Sequence, residues 1–425
     1  MGVVDEAPSD RVHAKPEPLG KESLSGPICW QVVNVVHYHS ARLRAFARQA
    51  GLRPLFLEST GVDVFSPLQH QRSGSEAFDC HTLFPGRKFP QVSTRELRGA
   101  LRKCLSEIRP AALCISGWGM RGSLDALQEC LRVGIPAVLM SESTSADRAR
   151  YAFIEAIKRR VVRLFSAALV GGRPHVEYAA ALGVPSGRIF VGYDVVDNDH
   201  FAKGAADARR NERKARQDLG LPAHYFLASC RFGAKKNLFG LLEAYAAYSD
   251  VAGRSALKLV VLGDGTLRDQ LIHARSRLGV NDAVSFPGFK GYDELPMYYG
   301  LAQAFIHAST SEQWGLVVNE AMAAGLPVLV SNRCGCAPDL VQAGRNGFTF
   351  DPLNIPELSG LMLRLSSMPE RQRDAMGRAS QEIISCWTPE LFAENLEKAV
   401  KAALAAPRPS ISVLDRALLW LLMRR

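Results

Sequence analysis

No apolar run in this sequence approaches the roughly 20 residues that cross a bilayer. The first 26 residues contain no apolar stretch of the kind that forms a secretory leader. Their Pro, Ser and Gly content predicts a flexible extension instead, and the chain is expected in the cytoplasm. Cysteine is present but unpatterned: 9 residues, an odd number, with Cys334 and Cys336 the one close pair. A CxC without a second pair or neighbouring histidines is a poor metal site, so free thiols are expected, with neither a disulfide framework nor a metal. A third glycine is missing after LGDG (262–265), which argues against a nicotinamide dinucleotide fold. The basic residues are scattered and match no nucleic-acid recognition motif.

What is present suits a two-domain globular protein. The 425 residues exceed one ordinary core, and 47% hydrophobic with 22% charged residues is ordinary globular composition. A formal net charge of +10 points to acidic partners, either phosphate-bearing ligands or an anionic membrane surface.

Strand-sized apolar runs alternate with helix-sized segments. They fall at 29–36, 52–60, 111–119, 135–143, 167–172 and 188–196, then at 225–232, 257–265, 282–289, 303–310, 326–332 and 346–352. Alternation of this kind predicts βαβ units, and runs without polar interruption predict strands buried on both faces. The charged, alanine-rich segment 201–219 reads as a linker or an exposed helix between domains. The chain then divides into an extension (1–26), a first Rossmann-like domain (27–200), the segment 201–219, and a second Rossmann-like domain (220–387). A helix over 388–406 is expected to cross back to the first domain, followed by an apolar and basic tail over 407–425. Ligand is expected in the cleft, at the carboxyl ends of the strands. For the tail two readings stand: a helix packed on the body, or an interfacial anchor with Trp420 and the arginines at lipid headgroups.

One stretch carries the chemistry: EQWGLVVNEAMAAGLPV (312–328). In one straight helix its two carboxylates, Glu312 and Glu320, would sit about 12 Å apart along the axis and could not meet one small group. A loop carrying Glu312, followed by a helix opening near Gly315, solves this. Free N–H groups near Gly315, Leu316 and Val317 would then form an anion site. A ligand made of sugar, diphosphate and ribose would span the segment, with sugar hydroxyls on Glu312 and the ribose diol on Glu320.

The segment resembles the signature of retaining glycosyltransferases of family 4, two glutamates separated by seven residues and followed by EAMAxGxPVxxS. Three upstream segments are also similar to that family: SCRFGAKKNLFGLLEAY (229–245), LVVLGDGTLRDQL (259–271) and VSFPGFKGYDELPMYYGLA (284–302). The resemblance implies a GT-B fold, two doubly wound Rossmann-like domains facing across a cleft, and a nucleoside-diphosphate-sugar donor. It implies that Arg231 and Lys236 clamp the diphosphate, that Phe289 lies by the base, and that no metal cofactor is needed. Acceptors bind to the first domain in that family. The His37–Ser40 run stands where the family has a glycine-rich loop, and His39, Ser40 and Trp118 are the acceptor-side candidates. Glu142 replaces a frequent family histidine as the candidate that orients the acceptor hydroxyl. The basic stretch 147–165 is a candidate for headgroups or a lipid-linked glycan acceptor. A sugar-nucleotide epimerase or hydrolase, and a non-catalytic sugar-nucleotide-binding module, are the alternatives.

Overall fold

The structure, a computed structural model, describes residues 26–33, 35, 37–62, 77–147 and 150–423. The expected extension lies outside them but for Gly26, as do the last two arginines. Two parallel sheets form. The first contains β1 (Ile28–Val32), β2 (Leu55–Val62), β3 (Asp79–Lys88), β4 (Ala112–Ser116), β5 (Ala137–Ser141), β6 (Ala167–Val170) and β7 (Ile189–Val191). Their order is β3-β2-β1-β4-β5-β6-β7. The second contains β8 (Tyr225–Ser229), β9 (Lys258–Leu262), β10 (Val284–Gly288), β11 (Ala304–His307), β12 (Val328–Ser331) and β13 (Gly347–Phe350), in the order β10-β9-β8-β11-β12-β13. Both are doubly wound, with helices on both faces, so the central strands are apolar throughout. All five residues of β1 and of β5 are buried.

The apolar runs located twelve strands and missed one. β3 is an edge strand, paired only with β2, mostly exposed, and interrupted by Pro85 and Gly86. Those residues read as a turn in sequence, and an edge position is where a sheet tolerates them.

The segment 201–219 is not a linker. It forms most of two helices, Asn198–Arg210 and Glu212–Leu219. Phe201, Ala205 and Ala208 are buried in the second domain's core beside Tyr298, Tyr299 and Val318. Its low count of large side chains hid this, because small alanines permit close helix packing against the Leu295–Leu301 helix.

The chain returns to the first domain through the helix Pro389–Ala405, capped by the Thr388 side chain. Phe392, Leu396 and Val400 join Trp30, Phe46 and Phe56 in that domain's core. The Phe392 ring stacks on Trp30 at 5.3 Å and 13°. The helix Val413–Leu422 follows and packs against Arg121–Val133 and Ala152–Val162. Among the described residues no helix is long and apolar enough to cross a membrane.

Candidate active site in the interdomain cleft

β11 ends at His307, and the chain loops through Glu312 to Gly315 before the helix Leu316–Ala323 begins. Gly315 sits at φ 109°, a left-handed conformation that side-chain-bearing residues rarely adopt. That glycine turns the chain so that Glu312 stands beside the helix start instead of continuing its axis. The loop and helix start then line a cavity of about 440 Å³. Its walls bring together Glu142, Arg231, Lys236, Glu312, Gly315, Leu316 and Val317, all predicted, with Ser229, Cys230, His307 and Trp314. A larger groove, about 590 Å³, opens where the crossing segments meet. Its charges pair among themselves, Arg48 with Glu390 and Lys203 with Asp199.

Glu312 is held by three donors. Lys236 Nζ is its ion-pair partner, and His307 Nε2 and Ser309 Oγ lie 3.2 Å from Oε2. Burial opposes its ionisation, but the His307 hydrogen bond and the Lys236 charge win and hold the carboxyl down at about 2. The His307 imidazole is lowered by burial first, with Lys236 adding to it. Sequence reasoning passed over His307 and Ser309, although both lie within five residues of Glu312.

Glu320 is reached differently. It is fully buried in the helix, with Tyr38 Oη donating to Oε1 at 2.5 Å and Tyr299 Oη donating to Oε2 at 2.7 Å. Burial raises its carboxyl to about 7, against the two phenol hydrogen bonds. The expected free carboxylate for a ribose diol is therefore occupied. A diol reaches it only after Tyr38, which belongs to the first domain, has moved away. Tyr38 sits in a contact between the domains that spacing in sequence does not reveal.

Glu142 enters the cavity from the end of β5. Burial raises its pKa, opposed by Arg42. Asp194, fully buried, is also pushed well up, by burial and then by the Glu142 charge. Arg42 Nη2 lies 3.9 Å from Asp194 Oδ1. Burial thus raises both acids together, with the Arg42 charge opposing each.

Trp314 is both core and wall. Its indole Nε1 donates to Asn319 Oδ1 at 2.9 Å, and its ring lies 5.1 Å from Trp387. Asn319 Nδ2 in turn donates to the Asp194 carbonyl at 3.1 Å, tying the two domains behind the cavity.

Besides the buried Glu320, four predicted residues fall outside this cavity's walls. His39 packs against Trp30 and Phe56 at 5.8 and 5.7 Å, and burial, with the Arg42 charge, lowers its imidazole to about 3. Ser40 is buried on the inner face of its helix. Both side chains serve the first domain's packing, because the turn into the helix at His37 points them inward. Trp118 packs against that domain's core, with Lys158 Nζ 5.6 Å from its ring. Phe289 is exposed after β10 and does not line the cavity. The basic stretch is also engaged: Lys158 bonds Glu155 and Tyr178, and Arg160 and Arg163 both bind Asp415.

Among the described residues no three His, Cys, Asp or Glu side chains group as metal ligands. Residues 210–382 match the model of the family described as glycosyl transferases group 1. Mannosylfructose-phosphate synthase of Agrobacterium fabrum is 29% identical over 45% of this chain, an alignment that spans only 41% of that protein. A glycosyltransferase from Rickettsia africae superimposes with a TM-score of 0.70 at 13% identity, covering 90% of this chain and 99% of that one. Anabaena HepE, solved with UDP and glucose, superimposes at 0.67 and 19% identity, covering 87% and 97%. Residues 210–382 are thus similar to the glycosyl transferases group 1 family, and the two sheets take the GT-B arrangement of those structures.

Proposed function

We propose that the chain is a retaining glycosyltransferase that moves a hexosyl group from a nucleoside-diphosphate sugar to a hydroxyl of a glycan or glycolipid, on the cytoplasmic side of the membrane. The observation that carries this is the cavity itself. Arg231, Lys236, an ionised Glu312 and a glycine-opened helix start face one space, with Glu142 of the other domain opposite. The fold's use in HepE, which holds UDP and glucose, supports the donor class.

In this reading the diphosphate lies against the N–H groups of Gly315, Leu316 and Val317. Arg231 and Lys236 supply charge-assisted hydrogen bonds there that strengthen as the phosphate oxygen gains charge. These fixed cations fill the role a divalent ion plays elsewhere, so no metal cofactor is proposed. Lys236 shifts part of its attention from Glu312 to phosphate, which frees Glu312 to accept from sugar hydroxyls. Glu320 takes the ribose diol once Tyr38 withdraws, and Phe289 flanks the base. The acceptor oxygen forms its bond to the anomeric carbon on the face from which the diphosphate leaves. The breaking carbon–oxygen bond's electron pair goes to the phosphate oxygen, which takes the acceptor's proton. Glu142, which faces the cavity from the end of β5, orients the acceptor hydroxyl.

The test is a panel of sugar nucleotides, with and without a lipid-linked acceptor, following nucleoside-diphosphate release and product anomer. Acceptor-dependent release with a retained anomer is expected, unchanged by a chelator. An inverted anomer overturns the mechanism. A free epimer without acceptor supports an epimerase, and chelator-sensitive turnover restored by divalent ion overturns the metal-free clamp.

A further inference from the structure

The helix Val413–Leu422 is apolar on two opposite faces. Its inner face is core: Leu419 and Met423 are buried in the cluster that includes Val161, Leu124 and Leu127. A capping box between Ser412 and Asp415 starts the helix. The buried Asp415 carboxylate pins it by accepting from Arg160 at 2.8 Å and from Arg163 at 2.7 Å. The outer face has no such explanation. Val413 is 85% exposed, Leu414 57%, Leu421 56% and Trp420 45%. At 100° per residue, these positions and the exposed Ala417 form one stripe facing away from Asp415 and Leu419.

A tryptophan and four aliphatic residues on one exposed turn-and-a-half stripe mark a docking surface. Charge around the helix selects the occupant. Arginine outnumbers buried acid nearby: Asp415 meets Arg160 and Arg163, and, on a helix packed against this one, Glu129 meets Arg102 and Arg132 while Asp125 meets Arg98. Arg408 and Arg416 add exposed positive charge. An exposed apolar stripe on a segment with an excess of arginine complements a bilayer that carries anionic headgroups over acyl chains. At about 15 Å the helix is too short to span and suited to lying flat.

We propose that Val413–Leu422 is an interfacial anchor that seats Val413, Leu414, Ala417, Trp420 and Leu421 in the headgroup region of an anionic phospholipid bilayer. The arginines once expected to meet headgroups, Arg160 and Arg163, instead orient the anchor from behind through Asp415. The indole occupies the water–hydrocarbon boundary that its amphipathic ring favours. This inference stands apart from the transfer chemistry, since it uses no residue of the cleft.

The experiment is flotation of the full chain with vesicles of phosphatidylglycerol and, separately, phosphatidylcholine. Leu414→Ser/Leu421→Ser and Trp420→Ser are compared with Val251→Ser, a control at an exposed valine of the second domain. Wild type and the control should float with phosphatidylglycerol and bind phosphatidylcholine less. The double variant should bind phosphatidylglycerol about tenfold more weakly, with thermal unfolding unchanged because the leucines face solvent. Three results overturn the proposal. Wild type fails to float with either lipid, or the double variant binds as tightly as wild type. In the third, sedimentation shows a dimer that the double variant abolishes, which would give the face to a second copy of the chain.

Discussion

Glu312 and Glu320 sit eight positions apart around one glycine, and the fold gives them opposite surroundings. Glu312 lies before the helix, among Lys236, His307 and Ser309, and its carboxyl is held at about 2. Glu320 lies inside the helix under two phenols, and burial raises its carboxyl to about 7. One is a permanent charge set by ionic neighbours. The other is a hydrogen-bond acceptor whose charge is uncompensated by any cation. The contrast teaches that equal residues in one motif take different roles through what the partner strands and the facing domain bring to them.

The largest effect should fall on the charged member. Glu312→Gln keeps the shape but removes the charge between Lys236 and the donor sugar. It is expected to lower turnover by about 10³-fold, with circular dichroism unchanged. Near-normal nucleoside-diphosphate release would break the contrast, because Glu312 would then serve only as a partner for Lys236 and His307. Arg231→Ala should follow at about 10²-fold, read as kcat at saturating donor. Unchanged turnover would remove Arg231 from the clamp.

The reasons some of this was legible in sequence are physical. Buried parallel strands leave uninterrupted apolar runs, so both sheets could be read apart from β3, whose edge position admits Pro85. A loop–glycine–helix junction is local, so the spacing of Glu312, Gly315 and Glu320 carried its own geometry. The linker over 201–219 failed because alanine does not announce burial: Ala205 and Ala208 are core by virtue of a partner helix. His39 and Ser40 failed because a helix start fixes which way each side chain turns, and a one-residue shift there exchanges inside for outside. Tyr38, the residue just before them and the partner of Glu320, was therefore passed over. Its role depends on a contact 282 positions away.

The two carboxyls should also carry opposite pH linkage. Glu312 binds its proton more weakly folded than unfolded, so its contribution to stability is present above about 4.5 and is lost as pH falls toward about 2. Glu320 binds its proton more tightly folded, so the fold loses stability as pH rises from about 4.5 to about 7. Glu320→Gln removes the second effect. The variant should gain on the order of 2 kcal/mol relative to wild type between pH 5 and 8, measured by urea unfolding. A constant difference across that range would show that Glu320 titrates as an ordinary carboxyl.

Tyr38→Phe tests the gating itself and should have the smallest effect. In wild type the phenol must leave Oε1 before a ribose diol can bind, so part of the binding free energy offsets a lost interdomain hydrogen bond. Phenylalanine keeps the ring in place and removes that competition. Nucleoside diphosphate should then bind about fivefold more tightly by calorimetry, while kcat changes little, because Tyr38 touches no reacting atom. If the hydroxyl instead only braces Glu320, its loss leaves a buried carboxylate with one donor, Tyr299, and nucleotide binding weakens. The sign of the affinity change thus decides between a latch and a brace. A latch would make donor binding the event that parts Tyr38 from Glu320 and sets the separation of the two domains.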